Sequence, residues 1–120
     1  MAEKAVNSLK GETLVTLAGK EYKARITVNS IMQIEAACGM GIIKLTQKMS
    51  EGDIMMSHLI AVLVPSLRGG GNDVQREDVI NMVEEAGLVK TTGVVATLLA
   101  STLTDNSEEK AAEGKQKEGE

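Results

Sequence analysis

Ser66-Leu67-Arg68-Gly69-Gly70-Gly71-Asn72-Asp73 separates an apolar run, Ile54–Leu67, from an amphipathic one, Glu77–Ala86. Glycine reaches positive φ without steric cost, and Asx side chains cap free N–H groups at helix starts. The block therefore predicts a hinge at Gly69, Gly70 and Gly71, followed by the start of a second helix. It reads as a joint between two helices in a small scaffold, and nothing around it has the residue types of catalysis.

On the C-terminal side of the joint, Val79, Ile80, Val83 and Ala86 form one apolar stripe, opposed by Glu77, Asp78, Asn81, Glu84 and Glu85, with Gly87 as the stop. Leu88–Leu103 carries two competing signals. Val89, Thr91, Thr92, Val94, Val95 and Thr97 are β-branched and Gly93 weakens a helix, yet Leu88, Val95, Leu98, Leu99 and Leu103 keep a 3.6-residue rhythm. The rhythm predicts a helix. From Thr104 on, alanine is the only apolar residue, so residues 104–120 are expected to be a disordered acidic tail.

On the N-terminal side, Ile54–Leu67 is apolar nearly all round, which places it at the centre of the core or against a partner. Pro65 should kink or end it, because proline lacks an N–H and crowds the carbonyl four residues back. Upstream, Thr13–Leu17 and Glu21–Thr27 flank the turn Ala18-Gly19-Lys20, and Tyr22, Ala24 and Ile26 alternate with Lys23, Arg25 and Thr27. That pattern predicts a β-hairpin, whose apolar face must lie on helices. A first helix is expected from Asn29 or Ser30, with Gln33 completing a capping box, to the stop at Gly39; a short second helix spans Ile42–Met49. The expected fold is α+β, mostly α. A hairpin packs on four to five short helices in one domain, residues 11–103, between a flexible N-terminus, residues 1–10, and the acidic tail.

The composition narrows the function classes. The apolar share is 42 % but almost wholly aliphatic, with no Phe or Trp and Tyr22 as the single aromatic; seven methionines supply adaptable packing. Net charge is −4, of which the tail's six acids and three lysines contribute −3. The body is close to neutral. It offers neither clustered Lys/Arg for phosphates nor stacking aromatics for single strands, so nucleic-acid binding is disfavoured. A membrane surface would need a basic amphipathic face, and the longest apolar run is far short of the roughly 20 residues of a bilayer span. Cys38 stands alone, which fits a reducing, cytoplasmic compartment, and the first eleven residues lack the apolar stretch of a signal peptide.

No constellation for chemistry is visible, so neither a catalytic nor a cofactor nor a metal site is expected. His58 is the single histidine and lies in an apolar helix, where packing is a simpler account than base catalysis. The neighbouring acids Glu84-Glu85 and Glu108-Glu109 point in different directions on a helix and read as solvated faces. The triple glycine is no phosphate loop, because no strand precedes it and no Gly-Lys-Ser/Thr follows. A helix-turn-helix reading fails on charge, since the would-be reading helix carries Glu77, Asp78, Glu84 and Glu85 against Arg76.

Three segments in order carry a resemblance. They are the hairpin from Gly11-Glu12-Thr13-Leu14-Val15-Thr16-Leu17 through Tyr22 to Ile26; the helix Val28-Asn29-Ser30-Ile31-Met32-Gln33-Ile34-Glu35-Ala36-Ala37-Cys38-Gly39, with its Ile–Glu pair and closing glycine; and the apolar helix into Leu67-Arg68-Gly69-Gly70-Gly71, then Val79-Ile80-Asn81-Met82-Val83-Glu84-Glu85-Ala86-Gly87-Leu88. From Gly11 to Leu103 the chain resembles the tail assembly chaperones of long-tailed phages and gene transfer agents, some of which are labelled tail tube proteins. The resemblance implies a non-enzymatic protein that binds the tape-measure protein during assembly, helps tail tube subunits polymerise around it and leaves before the particle is finished. Its partners would be proteins, its own copies among them. In that role a groove lined by Met55, Met56, Leu59, Leu63 and Met82 would take an amphipathic helix, and the glycine hinge would let the flanking helices open. The runner-up roles are a tube subunit or adaptor retained in the particle, and a small protein-binding regulatory domain.

Overall fold

A computed structural model describes the backbone of residues 11–118 and the side chains of residues 11–103. The N-terminal arm, residues 1–10, lies outside the described residues. Two strands, β1 (Glu12–Leu17) and β2 (Lys20–Arg25), pair antiparallel with Leu17 opposite Lys20 and Glu12 opposite Arg25. Ala18 and Gly19 both take positive φ, 53° and 80°, as a two-residue hairpin turn with the twist of its strands requires. Val15, Leu17 and Ala24 share the buried face.

The second predicted strand ends two residues early because Thr27 has other work. Its Oγ1 accepts the Ser30 N–H at 3.0 Å and so caps α1 (Val28–Cys38). The start predicted at Asn29 or Ser30 thus shifts to Val28, and Ser30 is buried instead, with its hydroxyl 2.9 Å from Thr27 Oγ1 and 3.5 Å from the Pro65 carbonyl. Gly39, at φ 72°, closes the helix as expected. The Ile–Glu pair of this helix divides its labour. Ile34 is fully buried, while Glu35 Oε2 accepts the Ile42 N–H at 2.9 Å and caps α2 (Ile42–Ser50).

The central element is α3 (Met56–Gly69). It buries Leu59, Ile60, Val62, Leu63, Pro65, Ser66 and Leu67, and packs against α1, β2, α4 (Arg76–Ala86) and α5 (Leu88–Glu118). The helix continues for a turn beyond Pro65. Its start is set by His58, whose Nδ1 accepts the Met55 N–H at 3.3 Å, so the lone histidine serves as a cap. The rhythm of Leu88–Leu103 proves helical: Val95, Leu98 and Leu99 are buried, and the β-branched threonines Thr92 and Thr102 direct their hydroxyls to the carbonyls four residues back. The backbone of α5 continues as helix to Glu118, and the side chains of the expected acidic tail, residues 104–120, lie outside the described residues.

The joint predicted as a hinge packs against the hairpin. In the hairpin, Lys23 and Arg25 belong to the non-hydrogen-bonded pairs, so their carbonyls point outward from the free edge of β2. Gly69 and Gly70 pack directly on that edge: a Cβ on Gly69 would collide with the Arg25 carbonyl oxygen, and one on Gly70 with that of Lys23. Asn72 Nδ2 then donates to Lys23 O at 2.6 Å and to Leu67 O at 3.0 Å. Gly71, at φ 98°, is the position that needs glycine for its conformation. Asn72 therefore ends α3 rather than starting α4. The start of α4 is held by Asp78 Oδ2, which accepts the Gln75 N–H at 2.7 Å, and Arg68 Nε bonds Val74 O at 2.9 Å across the turn. The glycines permit close contact, and the contact removes the freedom that a hinge needs.

Candidate partner-binding surface

The residues predicted to line one groove are dispersed. Leu59 and Leu63 are 0 % exposed and belong to the core, which corrects their assignment to a partner surface. Met82 sits half-buried on the opposite side of α4, over a cleft shared with Tyr22 and Val74. Met55 and Met56 are exposed, and of these Met56 lines the apolar cleft beside it.

That cleft, about 530 Å³, runs between the start of α3, one face of α4 and the start of α5. Met56, Ile60, Ile80, Val83 and Leu88 form its apolar lining, and Leu88 is 57 % exposed. A second cleft of about 290 Å³ continues between α1 and α3 over Ala37, Ala61, Val64 and Pro65. Ser57, Ile60 and Arg76 border both, so the two join into one groove along α3. Met56, Ile60 and Val64, at i, i+4 and i+8, border the groove, with Ile60 itself almost wholly buried, and they lie one residue out of step with fully buried Leu59 and Leu63, whose row begins at exposed Met55. In a helix apolar all round, both stripes satisfy helical periodicity. Packing against the hairpin and α5 selects which one faces inward.

The groove's chemistry is apolar with charge at its margins. Arg76 and Glu84 border it, both exposed, and neither forms an ion pair or hydrogen bond with another described residue. A separate cleft lies between β1 and α5, where Leu14 and Val89 are 62 % and 87 % exposed and Gly93 leaves open space. Among the described residues no group of His, Cys, Asp and Glu has the arrangement of a metal site. Cys38 is partly buried, and that desolvation raises its thiol pKa, away from nucleophilic thiolate. No single helix among the described residues is long and apolar enough to cross a membrane. The pair α4 and Leu88–Leu103 has the composition only in combination, and it turns through 119° between the two.

These clefts lie on a hairpin-and-helix body running from Gly11 to Leu103. No curated protein and no solved structure matches the chain. A family model does match it over residues 10–105, the whole of that body, and the chain accordingly belongs to the phage tail tube protein, GTA-gp10, family, a tail-related family of phages and gene transfer agents.

Proposed function

We propose that this member of the family is a non-enzymatic tail assembly chaperone that holds the tape-measure protein in the bacterial cytoplasm while tube subunits assemble around it. The observation that carries the reading is the groove along α3, which is open, largely aliphatic and edged by a methionine. A tape-measure protein presents long apolar helical segments that need cover before the tube encloses them. The sheet of the described residues supports the same reading. It has two strands, and the outer edge of β2 is occupied by Gly69, Gly70 and Asn72, whereas a tube ring calls for strands joined edge to edge.

A retained tube subunit or adaptor is the second reading. The family's description favours it, as do exposed Leu14 and Val89 beside β1. Tagging the chain in its host during tail assembly, identifying captured proteins by mass spectrometry and counting the chain in purified particles separates the two. Capture of the tape-measure protein with the chain missing from particles is the expected result. Many copies per particle would establish the structural role instead.

A further inference from the structure

Arg76 and Glu84 have an arrangement that the fold of this chain does not use. Both border the same cleft, on the same helix, eight residues apart. At 1.5 Å per residue they stand about 12 Å apart along α4, too far to pair with one another. Each also opposes the helix dipole: Arg76 lies in the first turn, where positive charge is disfavoured, and Glu84 in the last, where negative charge is. Exchanging the two would suit the isolated helix better. Arg76 further borders the second cleft, so it stands midway along the groove, with Glu84 towards one end.

We infer that the groove takes one amphipathic helix of the partner protein and that Arg76 and Glu84 set its register and polarity, through an acid and a base about two turns apart beside its apolar stripe. The inference rests on the chaperone reading for the partner's identity, while its own chemistry is tested apart from it. Aliphatic contacts along Met56, Ile80 and Leu88 supply attraction but tolerate sliding by a turn, since every turn of an apolar stripe looks alike. Two opposite charges at a fixed separation admit one alignment, and a helix with the charges in reverse order meets like charge at both ends.

The test uses two synthetic helical peptides of equal composition and identical leucine stripes. One places Glu eight residues before Lys beside the stripe, and the other reverses them. Fluorescence anisotropy against the full chain should show one order binding about tenfold tighter, with a preference that shrinks as salt rises. The double variant Arg76→Glu, Glu84→Lys should reverse the preference. Both positions are exposed, and a thermal melt confirms that the variant is folded. Equal binding of the two orders, a preference untouched by the exchange, or no binding of either peptide would each overturn the inference. Capture of the tape-measure protein by wild type and double variant is read separately. Equal capture by both sinks the register role and leaves the chaperone reading standing; no capture by wild type, with peptide order still discriminated, sinks the chaperone reading alone.

Discussion

The two ends of α3 contrast in a way that their composition conceals. Its C-terminal end runs into three glycines and looks loose, yet Gly69 and Gly70 lie against the backbone of β2 and Asn72 ties the turn to Lys23. Its N-terminal end is mostly apolar and looks like core, yet Met55 and Met56 are exposed and Ser57 borders an open groove. Glycine content reports how near another backbone can come as well as how freely a chain can move. Apolar content reports what can be buried, without saying whether this chain or another does the burying.

The contrast can be broken by substitution, and the largest effect belongs to the inward stripe. Leu63→Ala, at a fully buried position, should cost about 2–5 kcal/mol in urea unfolding, whereas truncating exposed Met55 to alanine should change stability by less than about 0.5 kcal/mol. Similar losses at the two sites would mean that the buried and exposed positions along this helix are misassigned. Gly70→Ala comes next. Gly70 has an ordinary φ of −86°, so the penalty is steric, and collision with the Lys23 carbonyl should cost about 1–3 kcal/mol. A flexible hinge would instead gain stability from alanine, so the sign of the change alone decides between hinge and packed joint.

Asn72→Ala removes two side-chain hydrogen bonds at a partly exposed site and should cost about 1 kcal/mol. Hydrogen exchange should quicken at the end of α3 before the rest of the body. The smallest change in stability is expected for Met56→Asp, about 0.5 kcal/mol or less, because the side chain is already 43 % exposed. Its effect should appear in binding, as a loss of tape-measure capture from a folded protein. Undiminished capture would place the partner elsewhere, with the cleft between β1 and α5 as the next surface to examine.

Much of the architecture is legible in the chain because short-range rules carry it. The hairpin follows from alternation around Ala18-Gly19, the closure of α1 from Gly39, and α5 from a 3.6-residue rhythm strong enough to outweigh its β-branched threonines. The rhythm prevails because Val95, Leu98 and Leu99 bury their side chains together, whereas isolated propensity is worth only tenths of a kcal/mol per residue. The cap assignments are harder to read, since Thr27, Ser30, Asn72 and Asp78 are all competent caps and neighbouring packing chooses among them. Ser30 illustrates the choice: its hydroxyl is drawn towards Pro65 of α3, thirty-five residues away, and Thr27 takes the cap.

The position of the candidate surface was not legible in the sequence. An apolar, methionine-bearing helix signals a protein partner, but Met55–Leu59–Leu63 and Met56–Ile60–Val64 are equivalent as patterns. Arg76 drew notice only as a minor charge against a helix-turn-helix reading, and its place in the groove depends on α4 turning back along α3. By itself the sequence determined which segments are helix and strand, and that the body is nearly neutral and aliphatic. These properties depend on residue type and on neighbours a few positions away. The tertiary structure alone decided which side of α3 faces inward, that Gly69 and Gly70 lie against the edge of β2, and that Arg76 and Glu84 border one groove. Each of those depends on which distant backbone or helix comes to lie alongside, a relation between segments that no local pattern encodes.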